Sequence, residues 1–442
     1  MKLFRLLAIS LIMTLLLGAP ARALTLLRDP DIEYALKQIA TPILKAAGLS
    51  PTRTDILVID DRSLNAFVVD RSAIFIHSGL ILKMKNAAML QSVIAHEAAH
   101  ITNGHLVRRP VAIRNARTAA GIGAVLAGAA AAASGNSQAV AGAVAGASNS
   151  AMRLLMVHTR AQENAADQSG LRYMANAGVD PQGAVDVMEI FRGQEALSAS
   201  RQDAYARTHP LSSDRYRVVK RLATGYAEYT KPNPKVDYWF ARAKGKLSAF
   251  QRSPKWTLNR VGEYGFQDVK LMRQAVAYHR QSNLRKALKS MDGAIAARPK
   301  DPYYHELRGQ ILMESRQIKS AISAYGQAVN LAPNNALILG SYGRSLLAGG
   351  QVKKAAQVLE KSRARDGRDP RVVRDLAAAH AKLGNNGMAS VLTAERYAMS
   401  GRLKDAGIHA KRASDLLPHG SAAWQRAQDV LSAAKAAQKK RR

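Results

Sequence analysis

Val93-Ile94-Ala95-His96-Glu97-Ala98-Ala99-His100 sets two histidines and a glutamate inside an apolar helical pattern running from Asn86 to about Leu106. Four residues along a helix turn through about 400°, so His96 and His100 share one face, one turn apart. Imidazoles at that separation can converge on one tetrahedral zinc ion. Glu97 lies beside them and reaches a water at the metal without binding the metal itself. It is placed to take that water's proton and pass it to a leaving amine. The competing reading is a solvated or buried histidine pair with no ion. Against it, Val93, Ile94 and Ala95 make the neighbourhood apolar, where an uncompensated Glu97 would be costly.

A zinc ion needs a third protein ligand. A metzincin would carry Gly at 103 and His at 106, but the chain has Asn103 and Leu106. His105 lies about 180° round the helix from His96 and about 140° from His100, so it is expected at the surface or as a cap. Glu163 is the better candidate. In Arg160-Ala161-Gln162-Glu163-Asn164-Ala165-Ala166-Asp167 it shares a helix face with Asp167. Glu163 can then bind the ion while Asp167 accepts a hydrogen bond from the far nitrogen of a ligand histidine. An ordinary exposed acidic pair is the alternative.

Upstream, Asp29 to Ala47 repeats apolar residues at helical spacing. Three β-type runs follow, Ile56–Ile59, Ala66–Val69 and Ala73–Ile76, and are expected to form a small antiparallel sheet. An extended peptide could pair with a strand edge near Phe67 or Phe75. Arg160, Arg207 and Arg215 lie near the motifs and are candidates for polarising a scissile carbonyl.

The chain opens with a basic Met1–Arg5, an apolar Leu6–Leu17 and small residues ending at Ala23. That is the build of a cleavable secretory signal over 1–23, which predicts a periplasmic mature protein, with an uncleaved anchor as the alternative. Between Thr118 and Met152 there is no charge, only small and apolar residues. A close-packed helical hairpin is expected there, and a lid or membrane-touching element is compatible with it. The chain has no cysteine, so disulfides and thiol chemistry are excluded. The net charge of +33 calls for an anionic neighbour such as a membrane surface, or reflects solvated faces. Nucleic acid is not expected, because no recognition motif accompanies the charge.

From about Asp268 the sequence repeats. Ala275, Gly309 and Gly343 are 34 apart, as are Ala287, Ala321 and Ala355, and Pro299 and Pro333. Three columns on one period, with Pro closing each unit, predict paired helices of tetratricopeptide (TPR) type. The register slips afterwards: Ala355 to Ala406 is one and a half periods, with Val372–Leu383 as an extra single helix. The expected organisation is a catalytic domain over 24–224, a linker over 225–267, a TPR array over 268–434 and a frayed basic tail over 435–442. The fold class is α+β, mainly α: a metalloprotease domain with a small sheet, then an all-α solenoid.

The H-E-x-x-H followed by E-x-x-x-D resembles the gluzincins. With Asn65-Ala66-Phe67, His77-Ser78-Gly79-Leu80 and Thr208-His209-Pro210, the chain is similar to the HtpX-like peptidase family. The resemblance implies one Zn2+ per chain on His96, His100 and Glu163, with Glu97 as the base and Asp167 behind a ligand. It also implies that His209 approaches the metal and can silence it by filling the open position. With an export signal in front and TPRs behind, it implies proteolysis of unfolded or misassembled outer-membrane proteins, and TPR contact with the outer-membrane assembly machinery. A TPR chaperone or scaffold whose metal site is silent is the alternative function.

Overall fold

The computed structural model describes residues 25–106, 160–198 and 200–439. The expected signal segment and the Ala/Gly-rich segment lie outside the described residues. No helix among the described residues is long and apolar enough to cross a membrane.

Two compact units are present, Leu26–Gly349 and a unit containing Gly350–Arg442. The first begins with β1 (Leu26–Leu27) and α1 (Pro30–Ala46). Asp29 caps α1 by accepting hydrogen bonds from the amides of Asp31 and Ile32, and Pro30 occupies the first helical turn, where its missing N–H is not needed. Strands β2 (Asp55–Ile59), β3 (Ala66–Asp70) and β4 (Ala73–His77) complete a sheet in the order β1-β2-β4-β3. The sheet is mixed, which corrects the antiparallel expectation. β3 and β4 form an antiparallel hairpin with Phe67 opposite Phe75, whereas β2 runs parallel to β4 from Asp55↔Ala73 to Ile59↔His77. The reason is topological. The 60–65 loop carries the chain past the neighbouring position to the edge, and the tight hairpin then folds β4 back into the gap.

After α2 (Ser78–Lys83), the helix α3 (Ala87–Thr102) carries the histidines. Asn86 caps it through the amide of Met89. Nearly every residue from Ala87 to Ile101 is buried, so α3 is a central helix with no solvent face. Beneath it pack α1 and the edge strand β3, and above it α4, described over 160–176, and α5 (Gln182–Phe191). The α3–α5 approach needs Gly183: a Cβ there would sit 2.5 Å from the backbone carbon of Ala88. The short α6 (Ala204–Thr208) and α7 (Ser213–Tyr226) close the domain.

The segment expected as a linker is mostly an 18-residue helix, α8 (Pro234–Gln251). Its Val236, Phe240 and Leu247 belong to the same core as α3, while Tyr238 and Ala249 belong to the core of the first TPR helices. A helix apolar on two faces is a shared wall, and its Arg242 and Lys246 are fully buried. Beyond it come helix pairs: α9 (Gln267–Arg280) with α10 (Leu284–Ala297), then α11 (Pro302–Glu314) with α12 (Ile318–Leu331), then α13 (Ala336–Ala348). The second unit holds α14 (Val352–Arg365), α15 (Pro370–Lys382), α16 (Asn386–Met399), α17 (Leu403–Leu416) and α18 (Ala422–Lys439). Three-residue turns with positive φ at Ser282, Arg316, Gly350 and Gly384 come every 34 residues, and the next, at Gly401, comes after only 17. That is the length of one helix with its turn. The final helix runs to Lys439, so the expected tail from 435 is helical for most of its length.

Candidate metal centre

α3 presents His96 and His100 toward α4, as the four-residue spacing requires. Their Nε2 atoms are 3.1 Å apart. Glu163, on α4, brings Oε2 to 3.3 Å from His96 Nε2 and Oε1 to 3.4 Å from His100 Nε2. His209, at the end of α6, brings Nδ1 to 3.2 Å from both His96 Nε2 and Glu163 Oε2. All four side chains are buried, and one ligand atom from each lies within 4.8 Å of the others.

These separations test whether an ion fits. Ligand atoms at the corners of a tetrahedron with bonds of about 2.0–2.1 Å are separated by roughly 3.3–3.4 Å. The contacts here, 3.1–3.4 Å, have that size. Nitrogen donors with one carboxylate are the donor set that zinc takes. The charge balance points the same way. Glu97, Glu163 and Asp167 are all buried, and Arg215 is the buried cation that balances part of them. Both oxygens of Glu97 are buried without a hydrogen-bond partner, its nearest basic atom being His209 Nε2 at 3.4 Å. Burial pushes the Glu97 carboxyl above its ordinary value. Burial, with His96 beside it, holds the His100 imidazole well below its ordinary value, whereas at His96 burial is outweighed by Asp167 and Glu163, which push that ring up to about 10.

The carboxylates behind the centre are held by ion pairs. Burial alone would raise Asp167, but Arg215 and His96 outweigh it and lower its carboxyl. Asp167 Oδ1 sits 3.0 Å from His96 Nδ1, so it fixes the tautomer that points Nε2 at the centre. Arg215, from the first turn of α7, donates Nε and Nη2 to the two Asp167 oxygens at 2.8 and 2.9 Å and sets Nη1 3.2 Å from Glu163. The paired carboxylates and the guanidinium therefore lock α4 and α7 together. Burial would also raise Glu163, yet His209 and His96 keep it well below the usual carboxylate range.

His96, Glu97, His100, Glu163, Asp167 and His209 are thus brought into one buried cluster. Arg215, one of three arginines flagged by proximity, joins it, whereas Arg160 and Arg207 are exposed. His105 requires a correction. The helix stops at Thr102, and Gly104 turns the chain with φ +71. The angular argument assumed an unbroken helix. His105 is buried, and its Nδ1 is 2.9 Å from His100 Nδ1, on the far side of that ring from the cluster. The Asn103-Gly104 pair was the legible stop signal. The edge strand is β3: its Ala66 carbonyl is 3.4 Å from His209 Nε2.

A model of peptidase family M48 matches residues 27–223, and models of tetratricopeptide repeats match 272–336 and 312–383. The beta-barrel assembly-enhancing protease of Escherichia coli (strain K12) is 25% identical over 404 residues, covering 90% of this chain and 81% of that one. The mitochondrial metalloendopeptidase OMA1 of Schizosaccharomyces pombe is 28% identical over 185 residues, covering 42% of this chain and 51% of that one. The solved structure of YrrB, a TPR protein with an unusual peptide-binding site, is 15% identical and covers 39% of this chain and 91% of that one, at a TM-score of 0.32. Together with the buried His/Glu cluster, the family-model matches and the relatives show a metalloendopeptidase domain of the peptidase M48 type over residues 27–223, followed by tetratricopeptide repeats.

Proposed function

We propose that the chain is a periplasmic zinc endopeptidase that cuts misassembled outer-membrane proteins, its TPR helices recruiting clients or the assembly machinery. The observation that carries the chemistry is the set of four buried donors within 4.8 Å of one another, beside a buried Glu97 whose oxygens have no hydrogen-bond partner among the described residues. His96, His100 and Glu163 would hold one zinc ion. Zinc in such a site activates water and polarises a carbonyl. Glu97 takes the proton of the attacking water and delivers it to the departing amide nitrogen. Asp167 and Arg215 orient His96 and Glu163 and act through them. The client class rests on the name of the Escherichia coli relative, and the compartment on the export signal. The basic surface, from a net charge of +33, suits an anionic membrane face as a third contact.

His209 favours a second reading. Its Nδ1 lies among the donor atoms, and a fourth protein ligand there would displace the water that Glu97 needs. In that state the protein acts as a TPR scaffold until His209 moves. The deciding experiment compares wild type, Glu97→Gln and His209→Ala on an unfolded protein, with and without chelator. The peptidase reading expects Glu97→Gln to keep its zinc and lose cleavage, and His209→Ala to cleave faster. Full cleavage by Glu97→Gln, or cleavage unaffected by metal removal, sinks it.

A further inference from the structure

Tyr205 takes no part in the chemistry described so far, yet it stands at the centre. It is 8% exposed. Its ring lies over His209 with centroids 4.5 Å apart, and against Phe191 at 4.9 Å. Among the described residues its hydroxyl has no hydrogen-bond partner. Tyrosine hydroxyls inside a fold ordinarily find a partner, and this one, not fully enclosed, stands open toward a ligand. The open space is there: Tyr205 lines a cavity walled by Val187, Met188, Phe191 and Leu211 that reaches His96 and His209. Its wall is largely apolar, with Ser92, His96, Asp167, His209 and Arg215 as the other polar groups, and a peptide side chain and its adjoining carbonyl would fill such a space. The hydroxyl also feels the charges of Glu97, Glu163 and Arg215, the groups that surround the reacting atoms in the proposed mechanism.

Tyr205 has a backbone anchor that does not involve the His209 side chain. The Tyr205 amide donates to the Leu64 carbonyl at 2.9 Å, in the loop leading to the edge strand β3. This pins Tyr205 next to the strand on which a peptide would lie. His209 is four residues on, at the free end of α6, where a change of its own rotamer leaves the Leu64 anchor intact.

We infer that the Tyr205 hydroxyl is a further catalytic group, donating a hydrogen bond to the oxygen of the scissile peptide carbonyl as that oxygen gains charge. The inference rests on the peptidase reading. When the water oxygen bonds to the carbonyl carbon, the π pair of C=O moves onto oxygen and the water proton goes to Glu97. Tyr205 keeps its own proton throughout and strengthens its hydrogen bond as the charge develops.

The test is Tyr205→Phe in the full chain, both alone and combined with His209→Ala, assayed for zinc content, thermal stability, kcat and KM on unfolded casein, and affinity for a peptidyl phosphonamidate that mimics the tetrahedral state. We expect kcat to fall roughly 10²–10³-fold, as for loss of one oxyanion donor, with the phosphonamidate weakened in step. KM, zinc content and melting temperature are expected to stay near those of the parent. A kcat within twofold of the parent overturns the inference, and so does a loss of activity that tracks loss of zinc or of folding. If Glu97→Gln abolishes turnover while Tyr205→Phe does not, only the Tyr205 assignment has failed. If Glu97→Gln leaves turnover intact, the peptidase reading has failed and takes this inference with it.

Discussion

Arg242 is the residue whose loss should do most to separate the catalytic domain from the first TPR helices. It is fully buried on α8 and points its guanidinium at both sides. Toward the catalytic domain, Nε lies 2.7 Å from Asp31 at the start of α1. Toward the repeats, Nη2 donates to Asp301 at 3.0 Å, while Asp301 also caps α11 through the Tyr303 amide. The guanidinium stacks 4.0 Å from the Tyr304 ring centroid. Arg242→Met keeps the aliphatic volume and removes the charge. Asp31, 1% exposed, would then keep only Lys246 at 3.7 Å. Removing one partner of a buried pair costs about 3–5 kcal/mol, because it leaves the other charge uncompensated. Lys246 offsets part of that, so about 3 kcal/mol is expected, or roughly 4–5 °C in melting temperature for a unit spanning Leu26–Gly349. The deficit should depend on pH with a definite sign. Burial already pushes the Asp31 carboxyl above its ordinary value. Without Arg242 it protonates more readily, so the penalty is full at neutral pH and shrinks as pH falls through that raised value. Calorimetry of the full chain at neutral and mildly acidic pH measures both, with Arg242→Met/Asp31→Asn expected to recover most of the loss. A shift under 2 °C at neutral pH, or one that grows on acidification, would refute the reasoning.

Arg215→Met should leave the chain folded but weaken zinc binding roughly 10–100-fold, since the lost contacts orient Glu163 and Asp167 rather than bind the ion; competition with a chelator of known affinity measures it, and unchanged affinity would count against a positioning role. Glu306, fully buried with Oε2 unpartnered, is pushed up to about 7 by burial, against Lys246 and with Asp29 and Asp31 adding to the rise. A carboxyl raised in the fold favours folding below its unfolded value near 4.5 and loses that advantage as pH climbs toward 7. Glu306→Gln should therefore match wild type near pH 4 and exceed it by about 2–3 kcal/mol at pH 8, measured by denaturant unfolding, and no gain at pH 8 would show that Glu306 is neutralised by its neighbours.

Part of this protein is local and can be read from residue order alone. Helical spacing puts His96 and His100 on one face wherever the helix lies, and the i, i+4 relation does the same for Glu163 and Asp167. The 34-residue period of Ala275, Gly309 and Gly343 reports helix crossings that repeat within each pair, so the repeats declare themselves without a structure. The half-period slip after Ala355 is legible for the same reason. What residue order leaves open is whatever depends on partners far along the chain. Arg242 and Lys246 look like solvated linker charges until Asp29, Asp31 and Asp301 are found beside them. His105 looks like a surface residue until the helix stops at Thr102 and returns it behind His100. The parallel pairing of β2 with β4 depends on where a loop crosses, which hydrophobic alternation does not encode. Arg215, Tyr205 and the seating of His209 depend on how α6 and α7 fold back over the α3–α4 pair. Periodicity and motif spacing are set by bonded geometry within one element. Charge compensation and strand order are set by contacts between elements, and only the folded chain decides them.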